Sequence, residues 1–93
     1  MVAHRIPDEV LDEAKQCVMK DRAATHGEME DNFMLIARYW SAHLGHKVEP
    51  VDVGVMMTLL KIARAKGNPH YEDNYVDGAG YLACAAECVD ADG

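Results

Sequence analysis

Apolar residues return every three or four positions along most of this chain, the repeat of an α-helix packed on one side. Val10, Ala14, Cys17 and Val18 make the first stripe, with Asp12, Glu13, Lys15, Gln16 and Lys20 largely elsewhere. Pro7 suits a first helical turn, and Asp8 and Glu9 sit well near its positive end. These signals predict a first helix over Pro7 to Asp21, preceded by a flexible lead over residues 1–6. Arg22 to Gly27 then reads as a connection. Met29, Phe33, Ile36, Ala37, Trp40 and Leu44 form the stripe of a second helix, from about Gly27 to Leu44, with Gly45 as its stop.

Pro50 opens a third helix, with Asp52 in its first turn, and Gly67-Asn68-Pro69 closes it. Val53, Met56, Leu59, Leu60 and Ala63 predict its buried face. Gly54, Thr58, Lys61 and Ala65 fall on the opposite side, flanked by Met57 and Arg64. A fourth helix is expected over about His70 to Val89, with a frayed tail at residues 91–93. It is rich in small residues: Gly78, Ala79, Gly80, Ala83, Ala85 and Ala86. Glycine costs about 1 kcal/mol against alanine inside a helix. Gly78 and Gly80 therefore point to close approach by another backbone or by a ligand.

The expectation is an all-α fold, a compact bundle of four helices in a single domain over residues 1–93. Helices three and four are apolar nearly all round. In a chain this small that implies a homo-oligomer.

Composition narrows the function. The chain is 49% hydrophobic but only 6% aromatic, a mixture suited to close-packed helices. A net charge of -7 argues against nucleic-acid polymers, which call for a basic face. It fits a cytoplasmic protein and a site that gathers a divalent cation. No run of apolar residues approaches a membrane span, and the first residues lack the apolar core of a signal peptide. Three cysteines without paired C-x-x-C spacing read as reduced thiols. Cys84 and Cys88 lie one turn apart, and buried small residues are the better reading of them than soft-metal ligands.

The candidate chemistry centres on His70 to Tyr81, the densest run of acids, amides and hydroxyls. Helical spacing puts Asn74, Asp77 and Tyr81 on one face and places Asp73 one turn before Asp77. Asp73, Asn74 and Asp77, with Glu28 or Asp31 opposite, offer oxygen ligands to a hard cation such as magnesium. Asp73 also reads as a helix cap, and Thr25 with Glu28 as a capping box. Lys61 and Arg64 share a flank of helix three. With Arg22 they would suit phosphates, although salt bridges to the many acids are the commoner role of such residues. His26 and Gly27 stand at a helix N-terminus, a setting that favours anions. Asn32 follows six residues later as a further donor. A P-loop, a dinucleotide glycine fingerprint and a Ser-His-Asp order are all missing.

Four segments together carry a resemblance: D-R-A-A-T-H-G-E-M-E-D-N-F, I-A-R-Y-W, D-V-G-V-M-M-T-L-L-K-I-A-R and D-N-Y-V-D-G-A-G-Y. From Asp21 to Tyr81 the chain resembles a family of small, largely uncharacterised proteins common in bacteriophages and prophages. By position, that family's marked residues would be Arg22, His26, Gly27, Asn32, Trp40, Lys61, Arg64, Asp73, Asn74, Asp77, Gly80 and Tyr81. The family is in turn similar to MazG-type all-α nucleotide pyrophosphohydrolases. Those are helical oligomers that cleave nucleoside triphosphates between the α- and β-phosphates, with magnesium held by E-x-x-E and E-x-x-D pairs. Here Asn74-x-x-Asp77 carries an amide where a carboxylate is expected, and Glu28 and Asp31 supply the other spacing at the start of a helix.

The resemblance implies a nucleotide-binding protein in the cytoplasm of a bacterial host. As a magnesium-dependent pyrophosphohydrolase it would use Asp77 and Asp73 in catalysis. Asp73, Asp77, Glu28 and Asp31 would hold the metal, and Arg22, His26, Asn32, Lys61, Arg64, Asn74 and Tyr81 would bind substrate. The alternatives are a non-catalytic module that captures a nucleotide and an oligomeric structural or adaptor protein.

Overall fold

The computed structural model describes residues 6–25 and 28–92, with the side chains of residues 21–30 and 90–92 outside the description. Four α-helices follow one another: α1 (Pro7–Thr25), α2 (Glu28–Leu44), α3 (Pro50–Gly67) and α4 (Asp73–Asp92). The described residues contain no strand, and the fold is the expected all-α bundle.

Local chemistry sets most of the boundaries. Ile6 accepts from the Glu9 N–H at 3.0 Å and donates its own N–H to Glu9 Oε1 at 3.1 Å, which ties down the entry to α1. Gly45 ends α2 at φ 78°, where its N–H donates to the Ser41 carbonyl at 2.9 Å. That left-handed conformation favours glycine. Pro50 stands in the first turn of α3, and the Glu49 N–H donates to Asp52 Oδ2 at 2.9 Å. The Asn68 N–H closes α3 onto the Arg64 carbonyl at 2.9 Å.

Two boundaries depart from expectation. The segment Arg22 to Thr25 continues α1 rather than forming a connection. Arg and Ala are among the best helix formers, so nothing in R-A-A stops the helix at Asp21. The fourth helix begins at Asp73, not His70. Pro69 and His70 instead form a turn, closed by the Tyr71 N–H donating to the Asn68 carbonyl at 3.1 Å.

The main core joins Phe33 and Ala37 of α2, Val48 of the α2–α3 link, Val53 of α3, and Cys84 and Cys88 of α4. Trp40, Ile36, Tyr81 and Val18 pack around it. The largest interface is between α3 and α4. It reverses the expected burial of α3. Met56, Leu59, Leu60 and Ala63 are exposed, and of that predicted face only Val53 is fully buried. The side bearing Gly54, Thr58, Lys61 and Ala65 turns inward instead. The cause is the closeness of the crossing. A Cβ at Gly54 would lie 2.6 Å from the Ala85 Cβ and 2.9 Å from its Cα. Small residues let the two backbones approach, and the large apolar residues of α3 are left outside.

The expected role of the other glycines changes accordingly. A Cβ at Gly78 would meet Lys61 Cβ at 3.6 Å, and one at Gly80 would meet Val18 Cγ2 at 3.5 Å. Both are ordinary contacts. The tight approach is at Gly54. Two further expected core positions, Cys17 of α1 and Leu44 of α2, are also exposed. Each sits at an edge of its stripe, where the neighbouring helix no longer covers it.

Candidate functional site

The α3–α4 crossing carries the polar residues into one region. Lys61 leaves the inward side of α3, and its Nζ lies 3.1 Å from Asp77 Oδ2 on α4. The lysine side chain is 18% exposed and the aspartate 44%. The aliphatic stem of Lys61 is thus packed against α4 while its charge meets a partner that stays half in water.

Asn74, one turn before Asp77, is 5% exposed. It lines a cleft of about 340 Å³ between the two helices, together with Thr58, Lys61, Tyr75, Gly78 and Leu82. The remaining walls are Ile62, Ala65 and Ala79, so the cleft is mostly apolar. The Thr58 hydroxyl donates to the Gly54 carbonyl at 2.8 Å, and the Tyr75 hydroxyl to the Pro69 carbonyl at 2.8 Å. Both hydroxyls are therefore engaged within the protein, and the second anchors the Tyr75 ring beside the cleft.

Across α4 lies a smaller cavity of about 120 Å³, where Asp77, Gly80 and Tyr81 face Cys17 and Val18 of α1. Asp77 lines this cavity and meets the α3–α4 cleft through its ion pair with Lys61. Tyr81 is half-buried against the core, and Asn74, Asp77 and Tyr81 follow one another along α4 at helical spacing.

The other predicted residues fall differently. Asp73 is exposed at the start of α4, one turn before the Lys61–Asp77 pair. Arg64 is exposed one turn beyond Lys61 on α3. Asp31 and Asn32 are exposed on α2, which lines neither of these two cavities. Arg22, His26 and Glu28 lie outside the described side chains. Among the described residues, no three His, Cys, Asp or Glu side chains are grouped to hold a metal ion. Asp77 faces a lysine ammonium in place of a second carboxylate.

Sequence reasoning did not single out Thr58, Ile62, Tyr75 and Leu82 as neighbours of the site. A signal existed in the spacing. Thr58, Lys61, Ile62 and Ala65 follow at three and four residues, as do Asn74, Gly78 and Leu82.

The profile of DUF6378, a domain of unknown function, matches residues 9–89. The chain belongs to that family. This DUF6378 chain is 35% identical over 77 residues to the Gene 55 protein of Mycobacterium phage D29, covering 83% of the chain and 51% of the phage protein. It is 41% identical over 73 residues to the Gene 55 protein of Mycobacterium phage L5, covering 77% of the chain and 47% of that protein. The chain spans about half the length of the curated relatives it matches. No solved structure matches it. These relatives agree with the resemblance to a family of small phage proteins. Among the described residues, no helix is long and apolar enough to cross a membrane.

Proposed function

We propose that this DUF6378 protein is a phage-type nucleotide-binding module, MazG-like in architecture, that captures its ligand without hydrolysing it. One observation carries the choice between capture and hydrolysis. The Asp77 carboxylate expected to hold magnesium is 3.1 Å from the Lys61 ammonium. A metal ligand so placed would set a bound cation close to a lysine of like charge. As a counter-ion, the same carboxylate holds Lys61 ready for a ligand oxygen. Arg64, one turn away, adds a second donor for phosphate at the exposed end.

The setting is the cytoplasm of the bacterial host, and the module works as a homo-oligomer. Large apolar side chains on the outer side of α3, Val55 at 40% and Leu59 at 56% exposure, support association with a second copy.

A thermal-shift panel of nucleosides and their mono-, di- and triphosphates, with and without magnesium, tests the proposal. Stabilisation by at least one nucleotide, without magnesium and without release of pyrophosphate, is expected. Pyrophosphate release that needs magnesium would make the protein a hydrolase. No shift with any nucleotide would remove the nucleotide reading and leave an oligomeric structural role.

A further inference from the structure

Asn74 is the described polar residue that the fold itself leaves unexplained. Its backbone N–H donates to the Tyr71 carbonyl at 3.3 Å. Its amide side chain, 5% exposed, has no hydrogen-bond partner among the described residues. Buried amides are nearly always paired, because an unpaired one has given up water without compensation. The group lines the cleft of about 340 Å³ between α3 and α4. That volume falls in the roughly 300–1,000 Å³ range of small-molecule sites, which are mostly apolar with a few placed polar groups.

We infer that the α3–α4 cleft is a nucleobase subsite in which Asn74 reads the edge of the base, an inference that rests on the nucleotide-binding reading above. An asparagine amide offers an oxygen acceptor beside an N–H donor. A heteroaromatic base presents the complement, a donor next to an acceptor, and can bond both at once. The walls Ile62, Ala65, Ala79 and Leu82 suit the flat apolar faces of such a ring. A second copy of the chain suits the cleft poorly. A helix has bonded its own backbone groups, and an apolar side chain would leave the amide unpaired. Phosphate alone suits it no better, since the cleft walls are mostly apolar and the chain carries a net charge of -7.

Calorimetric titration with the four ribonucleosides, their 5′-monophosphates and ribose 5-phosphate tests this assignment. At least one unphosphorylated nucleoside binds, and ribose 5-phosphate does not. Asn74→Leu weakens that binding at least tenfold while raising the melting temperature of the ligand-free protein, because an unpaired amide has been replaced by an apolar group. Leu82→Trp, at an exposed position on the cleft wall, blocks the same binding and keeps the fold. If nucleotides bind and both variants bind them unchanged, the base sits elsewhere and only the nucleotide reading stands. Equal binding of ribose 5-phosphate and the nucleotides also overturns the subsite. Failure of every nucleoside and nucleotide to bind overturns both.

Discussion

Asp77 and Lys61 form a pair whose two ends have different surroundings, and this decides what each substitution does. Removing the carboxylate leaves a lysine that is mostly packed against α4 without its counter-ion. Because Asp77 is nearly half exposed, water replaces much of the lost attraction, and the stability cost should be about 0.2–1 kcal/mol. For ligand binding the sign is opposite. Asp77→Asn frees the ammonium for a ligand phosphate, so affinity for a nucleoside monophosphate should rise severalfold and depend more steeply on salt. Titration calorimetry at two ionic strengths measures both effects. Lost nucleotide binding in this variant would return Asp77 to the role of a metal or substrate ligand. Lys61→Met should do the reverse of Asp77→Asn, weakening phosphorylated ligands more than nucleosides. The residues themselves were legible in the sequence. Spacing alone aligned Asn74, Asp77 and Tyr81 on α4. The partner of Asp77 was not legible, because it comes from another helix and depends on which side of α3 faces inward.

At the scale of the elements, the α2–α3 corner and the α3–α4 crossing depend on single small residues. Ser41 Oγ accepts the Val48 N–H at 2.7 Å and donates to the Ala37 carbonyl at 2.7 Å. Val48 is buried, so no water can take over its N–H. Ser41→Ala should cost about 1–3 kcal/mol, the usual penalty for an orphaned buried donor. Gly54→Ala should cost about 1–3 kcal/mol, as overpacking does. Its new methyl meets the Ala85 backbone, which has no rotamer to give way. Urea denaturation of the two variants gives both values, and a midpoint unchanged from the parent in Gly54→Ala would mean that the helices part easily. Helix existence and most turns were readable because Pro7, Gly45, Pro50 and Gly67 act locally. The inward face of α3 was not. Apolar residues surround that helix, and the hydrophobic pattern cannot separate a side buried by the chain's own fold from one left for a partner. The short residues Gly54, Thr58 and Ala65 held the missing information, since close crossing selects size as well as polarity.

For the whole molecule, the reversed face of α3 becomes an argument about assembly. Val55, Leu59 and Ile62 follow at four and three residues on the outside of α3, and all are exposed. Tyr75, Leu82 and Val89 follow at seven-residue steps on α4, also exposed. Each set forms one apolar stripe along its helix, the pattern that packs against another helix. The described fold measures 46 × 30 × 19 Å, and a slab this thin has little interior of its own. A second copy laid against the outer side of α3 at Val55 and Leu59 would thicken it. A closed dimer would use the same stripe on both copies. Light scattering at micromolar concentration should therefore give a mass that is a multiple of 10.3 kDa. Val55→Lys together with Leu59→Lys should bring it down to the monomer, because two unpaired charges would be buried in each contact. Both positions lie off the cleft wall. If the variant monomer still binds nucleosides, each subunit holds a complete site; loss of binding with the helices intact by circular dichroism would mean that the partner copy completes it. A parent protein already at 10.3 kDa would leave the two stripes to some other partner.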